Sequence, residues 1–289
     1  MWLSTEGDAL LQADLVGWEK AVARAEAVRP TRPAARISTG TISLVTVLVF
    51  LVLWWIAARL ELVSPVFLPG PAAVLRQAIA VAHDGYVDST LLQHVAASLS
   101  RVLVALLAIL FVGVPVGLAM GLSRIGKGVF DPIIEFIRPI PPLAYLPLVI
   151  IWLGIGEPSK IVVIAIAMIA PITIATVAGV RSVPIERVNA ARSMGASQVQ
   201  VVRYVILPST LPSILTGLRI ALGAGWSTLV AAELIAATRG LGFMIQSAAA
   251  FLVTDVVVLG IVVIAAIAFA MEIALRLLER LLVPWTGMS

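Results

Sequence analysis

Long apolar runs separated by short polar islands set the pattern of this chain. About 20 apolar residues cross the hydrocarbon core of a bilayer. Runs of that order lie at 41–58, 102–120, 161–180, 214–234 and 256–275. Trp54 and Trp55, followed by Arg59, mark an interfacial end to the first. A further stretch, 143–156, is too short for a straight span; Arg138-Pro139-Ile140-Pro141-Pro142 precedes it and Pro147 lies inside it. Short segments interrupted by Gly and Pro line the pathway of many transporters, and a tilted span with a re-entrant portion gives the same pattern. The expected architecture is therefore all-α and polytopic, with about six membrane helices.

Polar and small residues inside the runs carry further expectations. Gly113, Gly117 and Gly121 recur at intervals of four, on one helix face where a neighbouring backbone can approach. Pro115 is expected to kink that helix. In the fourth span Pro171 frees a backbone acceptor, and Thr173 and Thr176 supply hydroxyls, for a substrate or for neighbouring helices. Trp226, Ser227, Thr228 and Glu233 cluster in the fifth. An ionisable residue inside a span is costly to bury without a partner and is a functional candidate. Glu233 lies near the outer end, however, where it would reach water or cap the turn Arg239-Gly240-Leu241-Gly242. Glu272, in the last span, is expected at the interface.

Among the polar islands, the segment 61–98 opens on turn-rich Ser64-Pro65 and Leu68-Pro69-Gly70-Pro71, with a short surface helix expected over 72–82. The sequence from Gly121 to Lys127, GLSRIGK, matches most of a phosphate-binding loop. It fails at Gly128, where Ser or Thr should hold magnesium, and it follows a helix instead of a strand. This is a turn, and ATP is not expected on this chain.

The island at 189–208 has the most definite local signals. Pro184 suits a first helical turn, Ala190, Ala191, Arg192 and Met194 continue it, and Gly195 supplies a left-handed stop. Ser197 followed by Gln200 spells a capping box for a second helix, expected to end before Pro208. A stiff helix–Gly–helix hairpin at a membrane face is a shape suited to a partner protein.

Composition agrees with the membrane class: 61% of the 289 residues are hydrophobic and only 12% charged. Without Cys there are no disulfides or thiolate metal sites, and His83 and His94 lack ligand-spaced partners. The formal net charge of +4 reads as membrane topology; no nucleic-acid partner is expected. Lys20, Arg24, Arg29, Arg32 and Arg36 precede the first span. Arg124, Lys127 and Arg138 fall between the second and third, Arg181, Arg187, Arg192 and Arg203 flank the hairpin, and Arg276 and Arg280 follow the last. Arg59, Arg76, Arg101, Lys160 and Arg239 fall on the other side. The positive excess places both termini and the hairpin in the cytoplasm. Residues 1–40 form an N-terminal cytoplasmic segment without the pattern of a signal peptide. Leu10, Leu11, Leu15 and Trp18 recur at roughly helical spacing, as an amphipathic helix on the membrane or a partner would, or the segment is a loosely ordered tail.

The spacing Ala190-Ala191, Gly195, Leu207-Pro208 resembles the EAA coupling loop of permease subunits of ATP-binding-cassette importers. Asn189 stands where that family usually has Glu, and Val205 where it usually has Ile. Longer stretches, among them DPIIEFIRPIPPLAYLPLVIIWLGIGEPSK and LPSTLPSILTGLRIALGAGWSTLVAAELIAATRGLGFMIQSA, are similar to the nitrate/sulfonate/taurine branch of these permeases, and residues 225–254 to its taurine permeases. The resemblance implies a type I importer (MetI-like) permease fold over 41–289, with a coupling loop at 181–213. It assigns ATPase coupling to Asn189, Ala190, Ala191, Arg192, Met194, Gly195, Ala196, Ser197, Leu207 and Pro208. It implies as partners two ATP-binding subunits holding ATP and Mg, a second copy of this permease, a periplasmic binding protein and membrane lipid, all at the bacterial inner membrane. The expected cargo is taurine or a related sulfonate, with alkanesulfonate, nitrate or another oxyanion as the alternative. Thr173, Thr176, Trp226, Ser227, Thr228 and Glu233 are its candidate contacts, with Trp226 and the hydroxyls at one end of taurine and Glu233 at the other. A secondary transporter or channel would show internal repeats or more deeply placed ionisable residues. A membrane enzyme would need an acid, base or nucleophile cluster; Asp131, Glu135 and Glu186 have no His or Cys beside them. A non-enzymatic transport subunit is the expectation.

Overall fold

The computed structural model of the chain describes residues 38–284; the amphipathic pattern around Leu10–Trp18 lies outside them. Among the described residues every regular element is helical, and the only extended pairing is one bridge between Tyr86 and Ser89. The chain divides into two units after Leu53. Most of α1 (Thr39–Arg59) belongs to the first and is apolar all round, the pattern of a helix solvated by lipid.

In the second unit α2 (Pro71–His83) starts with Pro71 at its N-terminus, where a missing N–H is harmless. The long α3 (Leu91–Leu122) begins well before the expected second span, because Thr90 and Gln93 form a capping box with bonds of 2.9 and 3.4 Å. Ser123 alone separates α3 from α4 (Arg124–Ile137), capping both and accepting from the Gly126 N–H at 2.8 Å. The near-match to a phosphate loop is thus a one-residue helix–helix turn. It is so tight that a Cβ on Gly126 would meet the Ala119 carbonyl oxygen at 2.3 Å. After Pro139 and Pro141 a 3-10 turn (Pro142–Tyr145) leads into α5 (Leu146–Leu153). With α4 this forms a pair bent by 94°, the broken third span that the prolines imply. Among the described residues five helices are long and apolar enough to cross a membrane, and six if the bent pair counts as one span.

Helix α6 (Glu157–Arg181) is the central element, packed between α3 and the long helix over Leu207–Ala236. Between them lie α7 (Ile185–Ser193) and α8 (Gln198–Val201), and then a π-helical turn (Val202–Ile206) runs without interruption into α9 (Leu207–Ala236). The second hairpin helix was expected to end before Pro208, and it does not. In the π turn the Leu207 N–H bonds to the Val202 carbonyl, five residues back. That widening changes the backbone pairing beside Pro208, which has no N–H to contribute, so the helix passes the proline. The chain closes with α10 (Leu241–Ala250) and α11 (Thr254–Leu282), whose inner faces pack with α2 around Val74, Val81, Leu241, Met244 and Val256.

Small residues set the spacing around α6. A Cβ on Gly113 would meet Ile172 Cγ2 at 2.5 Å, on Gly117 Thr176 Cβ at 2.6 Å, and on Gly121 Val180 Cβ at 2.7 Å. The three glycines thus seat α3 on one face of α6. On its other side, Gly217 of α9 lies against Ala175, where an added Cβ would come within 2.4 Å.

Candidate functional site

Among the described residues, three regions bear most on function, and the hairpin is the most regular. Gly195, at φ +83°, closes α7: its N–H reaches the Arg192 carbonyl at 2.9 Å and the Ala196 N–H reaches Ala191 at 3.1 Å. This pair of bonds is a Schellman closure. No atom lies within 4 Å of a Cβ placed on Gly195, so the glycine is required by its backbone angle and not by crowding. The Ser197–Gln200 capping box then starts α8, with bonds of 2.8 and 3.4 Å. Arg192 reaches across to Gln198 at 3.2 Å. Val188, Ala191, Val201 and Ile206 bury together with Val180 and fix the hairpin to the end of α6. Its outer side exposes Ile185, Met194, Val199 and Tyr204, with Met194 83% accessible. Asn189 is exposed beside them. A rigid hairpin that exposes large apolar side chains among Arg187, Arg192 and Gln200 is built for contact with protein.

At the opposite end of α6 is a buried charge network. Arg101 is 1% exposed and Glu233 is fully buried. The Arg101 guanidinium makes a fork to Glu157 at 2.5 and 2.7 Å and also bonds to Glu233 and the Arg239 carbonyl. Buried Lys160 joins the same Glu157 at 2.7 Å. Two buried cations therefore face buried Glu233 and the more exposed Glu157, which makes their burial tolerable. Glu233 also accepts from Ser98 Oγ and the Gly242 N–H, each at 2.8 Å. Ser98 in turn accepts from the Leu241 N–H, and the Gly240 N–H donates to His94 Nδ1 at 3.1 Å while His94 Nε2 bonds to the Tyr86 carbonyl at 2.9 Å. Gly240, at φ +135°, has no room for a side chain, since a Cβ would meet the Glu233 carboxyl at 2.5 Å and Arg101 Nη1 at 2.6 Å. The network binds α3, α6, α9 and α10 at one point. Glu233 thus holds the turn after α9 and does not reach water. Arg101 and Lys160, counted among the charges opposite the hairpin, are paired with carboxylates.

The third region is a cavity of about 640 Å³ between the α4–α5 elbow, α6 and α9, lined by Ile140, Ala167, Pro171, Ala175, Ile220, Ala224 and others. Arg138 and Thr228 are its polar lining residues. Of the six expected substrate contacts, only Thr228 lines it. Thr173 and Thr176 are fully buried in the α3–α6 seam and bond to the carbonyls of Gly113 and Ile172 at 3.4 and 2.7 Å; their hydroxyls serve the helices. Ser227 is exposed and bonds to the Gly223 carbonyl, while Trp226 is packed in the core beside Leu222 and Leu229, its indole N–H without a partner. Trp226 and Glu233 do not share a site. Glu272 forms a second network, half-buried, with Arg219 at 2.5 Å and Arg276 at 2.9 Å.

Arg101 and Arg138 are not among the expected site residues, because in the sequence each reads only as a charge between spans, Arg101 on the side opposite the hairpin and Arg138 on the hairpin side. A signal for Arg101 was present: two carboxylates at the ends of spans call for a cation. Among the described residues no group of three potential metal ligands comes together.

Comparison with known proteins gives a consistent picture. A family model described as a binding-protein-dependent transport system inner membrane component matches residues 113–284. The chain is 59% identical to the taurine transport system permease protein of Escherichia coli over 86% of its length and 90% of that protein's. It is 38% identical to a putative aliphatic sulfonates transport permease of the same organism (80% and 87% covered), and 34% identical to a nitrate import permease of Synechocystis (83% and 88% covered). The fold matches an inward-facing structure of the MetNI methionine transporter with a TM-score of 0.55 at 24% identity, covering 64% of this chain and 94% of that one.

Proposed function

We propose a specific role for this chain, which belongs to the family of binding-protein-dependent transport system inner membrane components: it is the permease that carries taurine in an ATP-driven importer. The rigid hairpin with its exposed apolar side chains, at the end of the central helix, is the observation that carries the reading. The near-match to a phosphate loop is a one-residue turn between helices, so energy is expected from a partner, and the hairpin is where a motor protein can grip the bundle. ATP and Mg are bound by that partner. Asn189, Ala190, Ala191, Arg192, Met194, Gly195, Ala196 and Ser197 form the hairpin tip and turn, and Leu207 and Pro208 carry its movement into α9.

The cavity at the elbow is open on one side, and a second copy of the chain completes the pathway around it. Each copy holds one ATPase subunit, a periplasmic binding protein delivers cargo to the opposite face, and lipid covers the outer helices. Both termini and the hairpin lie on the cytoplasmic side, in keeping with the basic residues that flank it. Taurine is favoured as cargo by the relative with 59% identity. The test is uptake of labelled taurine by cells that lack this chain, with and without its return, with alkanesulfonates and nitrate as competitors. Uptake that returns with the chain and resists competitors supports taurine. Uptake that another oxyanion abolishes moves the assignment to that oxyanion.

A further inference from the structure

Arg138 stands at the elbow between α4 and the 3-10 turn, and it lines two adjoining cavities. One is the apolar cavity of about 640 Å³; the other, of about 340 Å³, is lined also by Lys127, Arg181, Asp131 and Glu135. Lys127 and Asp131 form a loose pair at 3.7 Å. Arg138 makes no ion pair or side-chain hydrogen bond among the described residues. Arg138 is exposed in the single chain, and an unpaired guanidinium at the junction of two cavities, the larger of them otherwise apolar apart from Thr228, is placed to take an anion. Its planar fork suits a group with several acceptor oxygens.

The same cavity offers acceptors in its α6 and α9 walls. Pro171 has no N–H to donate to the Ala167 carbonyl one turn earlier, and both residues line the cavity, as does the Thr228 hydroxyl. A carbonyl and a hydroxyl suit an ammonium, which brings three donors and no acceptor.

We propose that this cavity is a transient substrate site for a compact sulfonate zwitterion, with Arg138 taking the sulfonate and the Ala167 carbonyl and Thr228 hydroxyl taking the ammonium. The site rests on the importer reading above, and it places recognition at the elbow, away from Glu233.

The test uses the complete complex of permease, ATPase and binding protein in proteoliposomes, with labelled taurine and labelled ethanesulfonate, which lacks the ammonium. Loss of a charge-assisted contact lowers uptake about tenfold, so Arg138→Gln is expected to lose that much for both compounds and Arg138→Lys to recover most of it. Thr228→Val is expected to raise the KM for taurine and to leave that for ethanesulfonate unchanged. Ala224→Phe, which fills the cavity, is expected to block both. Uptake by Arg138→Gln or Ala224→Phe at the wild-type rate overturns the site. If the wild-type complex carries nitrate and neither sulfonate, the taurine reading fails while Arg138→Gln still tests the site: lost nitrate uptake upholds its anion-binding half, and unchanged uptake overturns it.

Discussion

Arg101 and Glu233 meet as an ion pair 132 residues apart in sequence, joining α3 to the end of α9 in a position sealed from solvent. Removing one member of a buried pair leaves the other charge uncompensated, which costs about 3–5 kcal/mol. Arg101→Ala and Glu233→Ala are expected to destabilise by that order, read as a lowered midpoint of thermal unfolding in detergent. Replacing both residues with apolar ones of similar volume should recover much of the loss, because no lone charge remains. A midpoint unchanged in either single variant would contradict the network.

Glycines of the same helical region should respond in opposite ways. At Gly117 a methyl would press on Thr176 and on the Thr173 carbonyl at 2.9 Å, and overpacking of this kind costs about 1–3 kcal/mol. At Gly128 nothing lies within 4 Å, so alanine there removes only backbone freedom and should stabilise α4 by about 0.5–1 kcal/mol. Unfolding midpoints of Gly117→Ala and Gly128→Ala, moving in opposite directions, check the seam.

The hairpin separates backbone strain from surface contact. Gly195→Ala places a side chain at φ +83° and should destabilise the turn by about 1–2 kcal/mol. Met194→Asp changes only an exposed side chain and should leave the unfolding midpoint in place. On the coupling reading Met194→Asp nevertheless loses co-purification of the ATPase. Retained ATPase binding would move the docking surface elsewhere.

Orientation is open to a direct test, because the chain contains no Cys. A single Cys at exposed Ser193 should be labelled by an impermeant maleimide only from the cytoplasmic side. One at exposed Asp84 should be labelled only from the opposite side. Labelling of both from the same side would overturn the topology.

What the sequence determined by itself was whatever depends on near neighbours along the chain. Run length and composition marked the spans, the interval of four put Gly113, Gly117 and Gly121 on one face, and Gly195, Ser197 and Gln200 wrote the hairpin turn residue by residue. Each signal is a backbone preference or a periodicity, and it is complete within a few residues. The proline signals were local too, but ambiguous. The cluster from Pro139 to Pro142 made a bend of 94°, whereas Pro208 made no break, because the π turn before it had already altered the hydrogen bonding. The tertiary structure alone decided which polar groups meet. Arg101 reads as a loop charge until α3, α6 and α9 converge on it, and Thr173 and Thr176 read as pathway hydroxyls until the glycine face of α3 covers them. Only the elbow of α4 brings Arg138 to a cavity walled by α6 and α9. Charge pairing and enclosure depend on distances through space between segments far apart in sequence, and those distances are set by helix packing.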